Sequence, residues 1–200
     1  MSNLNRLLLA CLLTLCSILP AEALSVLPLY LDDIIDTAAI AFQGRCIGNR
    51  VERDAQTGLV VTYTSFQVED VLKGQTGSSH TIKQIGGRLA DDASGVMVHE
   101  IEGVPRFVPG QRYIVFLNDV SAAGFSSPVG LGQGRFDVLQ DASGPQITNG
   151  RDFRQMTANK LRSQMSQSVQ SKLEQTSSRI EQLGLDEFKQ LVRQQTGAAK

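Results

Sequence analysis

Tryptophan is absent, histidine occurs twice and cysteine three times in 200 residues, and the formal net charge is only −1. Charge so close to zero excludes a strong field steering the chain to nucleic acid or anionic lipid. Two of the cysteines, Cys11 and Cys16, fall in an apolar run near the N-terminus, so Cys46 stands alone downstream and no internal disulfide is expected there. Stability must then come from an apolar core. Long apolar runs are missing too: the run at 7–19 is shorter than the roughly 20 residues a membrane-spanning helix requires.

What that run does have is Arg6 before it, Pro20 after it and the small-x-small site Ala21-Glu22-Ala23. Residues 1–23 therefore read as a secretory signal peptide, which predicts an exported protein, periplasmic or extracellular, beginning near Leu24. No stable membrane insertion is expected once the leader is removed. Lipidation is not expected either, because Cys16 follows Leu15 where a small residue is needed, and Cys11 leaves only residues 7–10 as an apolar stretch after Arg6. The leader carries off Arg6 and Glu22 together, so the net charge of −1 is unchanged. About 175 residues suffice for one domain with a sizeable core, and 18 glycines without tryptophan lean towards a β-rich architecture with many turns.

The segment 24–37 contains Leu31, Ile34 and Ile35 interleaved with Asp32, Asp33 and Asp36, the spacing of a short helix with one apolar edge and acids at its positive end. Residues 39–45 alternate as a strand, with Cys46 extending the inward set of Ile40 and Phe42 as a small buried hydrophobe. Residues 47–58 are polar and end in Thr57-Gly58, which predicts a strand end and a hairpin turn. Residues 59–72 form a long β-branched and aromatic strand. Its period slips by one at Asp70, between the pair Phe66 and Val68 and the pair Val71 and Leu72, so a bulge is expected there that keeps both apolar pairs in the core. A short strand at 81–85 ends at Gly86-Gly87, 88–95 reads as a loop, and 96–102 alternates again. Tyr113 to Leu117 is apolar throughout, which implies burial on both faces. Strands at 135–139 and 146–148 follow. Beyond Asn149 serine, glutamine and threonine dominate: Leu161, Met165, Val169 and Leu173 recur every four residues, as a thin helical stripe or as chance within a weakly ordered linker. Residues 185–195 carry Leu185, Phe188, Leu191 and Val192 on one helical face, with Asp186 and Glu187 in the first turn.

No catalytic constellation emerges. His99-Glu100-Ile101-Glu102 gathers a histidine and two carboxylates, but in a strand His99 points away from both acids, and a zinc site needs three or four convergent ligands. Gly130, Gly132 and Gly134 precede a strand-like segment rather than a helix, so turn packing accounts for them better than a phosphate loop. Asp91-Asp92 lacks an apolar pocket to split its pKa values. No nucleophile elbow is present, and no metal or cofactor is expected. The surface most like a binding motif is the pair of loops Gly86-Gly87-Arg88 and Gly103-Val104-Pro105-Arg106-Phe107, so Gly86, Gly87, Arg88, Arg106 and Phe107 are the candidate binding residues. The alternative has Phe107 filling the mouth of a barrel and the arginines solvated.

A strand ending in Gly44, a bent strand ending Val71-Leu72-Lys73-Gly74, and Gly110-Gln111-Arg112-Tyr113-Ile114-Val115-Phe116-Leu117 together resemble the pattern of netrin-type domains, the oligonucleotide/oligosaccharide-binding (OB) barrels of tissue inhibitors of metalloproteinases. The same layout resembles small exported bacterial proteins of no settled function. The resemblance covers residues 38–140 and implies a barrel and a possible inhibitory role. Metalloproteinase inhibitors of that family chelate the enzyme's zinc through an N-terminal cysteine; this chain has none near Leu24 and lacks the family's disulfides, so that mechanism does not carry over.

These observations predict a mainly β protein: a small closed or partly open OB-like barrel over 38–148, a leading segment with a short helix at 24–37, a polar linker or helix at 149–183, and a C-terminal helix and tail at 184–200. The expected role is non-catalytic binding of another exported protein, not of nucleic acid. The alternatives are a protease inhibitor or protease-associated domain and, behind it, a metal-dependent hydrolase.

Overall fold

The computed structural model describes residues 27–91, 95–175 and 178–197. The expected signal peptide at 1–23 and Asp92 lie outside them. Helix α1 (Leu31–Thr37) buries Leu31, Ile34 and Ile35 and carries Asp32 and Asp33 in its first turn, where the helix dipole favours acids. Strands β1 (Ile40–Arg53) and β2 (Val60–Lys73) form the longest hairpin. They are followed by β3 (Ser79–Ile85), β4 (Gly87–Asp91), β5 (Gly95–His99) and β6 (Arg112–Leu117), then a 3-10 turn (Leu131–Gly134), β7 (Arg135–Asp141) and β8 (Gly144–Thr148). Helices α2 (Phe153–Met156), α3 (Asn159–Arg162) and α4 (Gln167–Gln175), the two-residue strand β9 (Leu183–Gly184) and helix α5 (Leu185–Thr196) complete the chain.

The protein is mainly β, with seven antiparallel strands in the order β3-β2-β1-β6-β7-β8-β9 and a separate β4-β5 hairpin. The expected barrel is not closed: β3 and β9 end the sheet without pairing. The reason is visible in β6. Ile114 and Phe116 belong to one buried cluster, whereas Tyr113, Val115 and Leu117 belong to another. Successive strand residues point to opposite faces, so this sheet buries both faces, whereas a small barrel encloses one. Helices α1 to α5 supply the first cluster's cover, through residues such as Ile34, Phe153, Leu161, Val169 and Phe188. The 149–183 segment thus carries three short helices, and Leu161, Met165, Val169 and Leu173 are all buried in the cluster that includes the sheet. The second cluster is aromatic, built on Phe42, Phe66, Phe107 and Tyr113.

The β1–β2 ladder shifts register three times, passing over Leu72, Glu69 and Ile47. The slip expected at Asp70 is therefore a pair of bulges flanking it, on the C-terminal half of β2. Their effect differs from the expectation. Phe66 packs in the aromatic cluster, Leu72 in the helix-covered one, and Val71 is 38% exposed. The bulges turn Leu72 to the other face instead of holding both apolar pairs in one core. They also set Asp70 against α5, where Lys189 Nζ lies 2.5 Å from Oδ2 and Arg193 Nη2 lies 2.7 Å from Oδ1. The strand expected at 39–45 is longer, running through the Ile47 bulge to Arg53, and it ends within the 47–58 segment where a strand end was expected. One further expectation is corrected. Residues 88–95 are not a loop throughout, since 87–91 pair with 95–99 as β4 and β5.

Candidate functional site

The β4-β5 hairpin leaves the sheet at Gly86 and Gly87, and both positions are forced. Gly86 has φ +93° and a Cβ there would lie 2.5 Å from the His99 carbonyl oxygen. Gly87 has φ +142° and a Cβ would meet Thr62 Oγ1 at 2.6 Å and Val51 Cγ1 at 2.7 Å. Only glycine lets the backbone pass this close over β1 and β2. The crossing is pinned by Gly86 N–H donating to the Val60 carbonyl (2.8 Å) and by the Thr62 hydroxyl donating to the Gly86 carbonyl (2.7 Å).

The 100–110 segment returns over the same face. It is fastened by Asn49 Nδ2 donating to the Phe107 carbonyl (2.7 Å), Arg135 Nη1 to the Arg106 carbonyl (3.0 Å), Gly110 N–H to the Cys46 carbonyl (2.7 Å) and Val108 N–H to the Tyr113 hydroxyl (2.9 Å). Burial raises the Tyr113 pKa, and that hydroxyl donates in turn to Gln111 Oε1 (2.8 Å). Phe107 is 3% exposed, and its ring stands edge-on to Phe66 (4.9 Å between centroids) and Tyr113 (5.0 Å). It is a core residue that forms the inner wall of the site.

Between the sheet and these two segments lies a cleft of ≈ 750 Å³, within the range of about 300–1,000 Å³ typical of ligand sites. All five candidate residues, Gly86, Gly87, Arg88, Arg106 and Phe107, line it. Val51, Ile101, Val104 and Val108 give it apolar walls; Asn49, Thr62, Thr64 and Gln84 give it a polar floor. The Thr64 hydroxyl donates to Asn49 Oδ1 (2.7 Å). Gln84 is 3% exposed, and its Nε2 has no hydrogen-bond partner among the described residues. At the rim, Arg88 Nε and Nη2 donate to Glu100 Oε1 at 3.3 and 3.2 Å, and Arg106 Nη2 pairs with the same oxygen. Hydrogen bonds from Arg106 and then Arg88 lower the Glu100 pKa.

The sequence pointed to both loops and to their arginines, but not to Glu100 as the carboxylate joining them. It also missed Asn49, Thr64 and Gln84. These are polar residues on strands, and the one available signal was a β-branched residue two positions away on the same face: Val51 for Asn49, Thr62 for Thr64 and Ile82 for Gln84. His99 and Glu102 line the same cleft. Among the described residues, no three His, Cys, Asp or Glu side chains converge as a metal site. Cys46 is buried, and burial raises its thiol pKa. A second pocket, ≈ 120 Å³ beside Gln164, Leu183 and Phe188, has room for only a few waters. No helix among the described residues is long and apolar enough to cross a membrane. Compared with known proteins, the chain matches no family model, no curated sequence and no solved structure.

Proposed function

We propose that this protein is an exported, non-catalytic binding domain whose cleft holds a segment of another exported protein. The observation that carries this reading is the cleft itself. Residues far apart in sequence, from β1, β2, the Gly86-Gly87 crossing and the 100–110 segment, build one apolar-walled groove with a charged rim. Binding sites have this form: apolar walls supply area and a few placed polar groups supply orientation. The near-zero net charge weighs against nucleic acid. The likeness to netrin-type domains is proposed on the same footing. The stretches that carry it lie on β2, β1 and β6, which are adjacent at the middle of the sheet, although the sheet around them is open.

The test is capture of partners from the protein's own cell envelope with the chain beginning at Leu24, repeated with Val104→Asp. Val104 is a half-buried wall residue, so an added carboxylate spoils the groove while the aromatic cluster stays intact. A partner held by the native chain and lost from the variant, with the thermal unfolding midpoint unchanged, supports the reading. A partner retained equally by both refutes the cleft as the site. A panel of exported proteases assayed in parallel decides the inhibitor alternative.

A further inference from the structure

Two features of the cleft are incomplete as they stand. Gln84 Nε2 is a buried donor on the floor with nothing to donate to among the described residues, and an unsatisfied buried amide carries a desolvation cost that an acceptor relieves. At the mouth, Arg88 and Arg106 both bind Glu100 Oε1. One carboxylate oxygen already bridges guanidiniums from β4 and from the 100–110 segment. That arrangement demonstrates a two-arginine carboxylate seat, occupied by the chain's own side chain. All three side chains are substantially exposed, at 65% for Arg88, 62% for Arg106 and 48% for Glu100, so exchange needs no core rearrangement.

Resting on the binding reading above, we propose that the occupant is the C-terminal end of a peptide with apolar last residues: its terminal carboxylate takes the Arg88–Arg106 seat in competition with Glu100, and a main-chain carbonyl accepts from Gln84 Nε2. Carboxylates bind paired guanidiniums by charge-assisted hydrogen bonds, the stronger kind, and capture of a chain terminus is a recurrent mode of peptide recognition. Apolar side chains suit Val51, Ile101 and Val104 on the walls. A fatty acid shares the carboxylate and the apolar body but offers nothing to Gln84, which is why a peptide is the better fit.

The experiment is calorimetric titration of the chain beginning at Leu24 with three probes: an N-acetylated tetrapeptide of valine and leucine with a free C-terminal carboxylate, the same peptide as its C-terminal amide, and decanoate. The free acid binds more tightly than the amide. Glu100→Gln, which removes the internal competitor, widens that preference by about tenfold, the size of one charge-assisted hydrogen bond. Arg88→Gln with Arg106→Gln abolishes the preference for the free acid over the amide. Gln84→Met weakens both peptides more than it weakens decanoate. Acid and amide binding equally in the native chain and in Glu100→Gln overturns the carboxylate seat while leaving the cleft as a binding site. Decanoate matching the acid peptide, or Gln84→Met leaving the peptides unaffected, overturns the peptide assignment. Binding of neither peptide overturns the inference as a whole, and partner capture with Val104→Asp then decides the broader reading separately.

Discussion

Asp54 sits at the turn between the two longest strands, where its carboxylate accepts from the Thr57 N–H (2.9 Å) and hydroxyl (2.7 Å) and pairs with Lys83 Nζ at 2.7 Å. The hydrogen bond from Lys83, followed by that from the Thr57 side chain, lowers its pKa from an ordinary 3.8 to about 2. Stabilisation from a depressed carboxylate is complete above the unfolded value and is lost as pH falls through the folded one. Asp152, held mainly by Arg154, is also lowered to about 2. Stability to urea should therefore fall between pH 4 and pH 2. Asp54→Asn should flatten that slope while lowering stability at pH 7, because Lys83 then stays buried without its partner. His80 acts in a higher window: burial lowers its pKa below 6.5, so the unfolded chain takes up the proton first and stability declines below that pH. A His80→Gln variant should lose this decline. Phe107, read from the sequence either as a binding residue or as an interior filler, lies within the aromatic cluster. Phe107→Ala should cost about 3–5 kcal/mol by urea denaturation, and lost binding in that variant combines lost stability with a lost wall of the cleft.

At the scale of elements, the bulges in β2 turn Leu72 to the other face of the sheet, and the Gly86-Gly87 crossing lays β4 over β1 and β2. Asp70 is set by the bulges against Lys189 and Arg193. Burial opposes its ionisation, but hydrogen bonds from those two cations prevail and its pKa is lowered. Asp70→Ala should cost about 1–3 kcal/mol, the range for hydrogen bonds to charged groups discounted for partial exposure. Backbone amides in α5 should exchange faster in that variant. Gly87→Ala should cost at least about 1–3 kcal/mol from backbone strain alone, with the clash against Val51 and Thr62 added. Its effect should appear both in denaturation and as weakened binding, because Arg88 moves with β4.

For the whole molecule, the decisive feature is that one sheet carries two cores. Phe116 and Phe136 pack against Phe188 of α5, with ring centroids 6.2 and 4.9 Å away, so the C-terminal segment is part of the fold rather than an attachment to it. A chain ending at residue 149 should lose its cooperative thermal transition and bind a hydrophobic dye, since Ile114, Phe116, Phe136 and Ile147 would face water. Local patterns determined much of this from the sequence: alternation gave the limits of β2 and the slip at Asp70, an unbroken apolar run the double-sided burial of 113–117, and helical spacing the apolar face of α5. The candidate loops were legible because glycine and proline between strands mark turns.

What the sequence could not decide is which surfaces meet. A continuous apolar run such as 113–117 says that a strand has two apolar faces but not whether they are enclosed by a barrel or covered by helices. That depended on the helices of 153–196 reaching the sheet and on a two-residue β9 ending its ladder. The Arg88–Glu100–Arg106 cluster likewise exists only because Gly86 and Gly87 carry the hairpin over β1 and β2. No pattern within either segment encodes a contact between them.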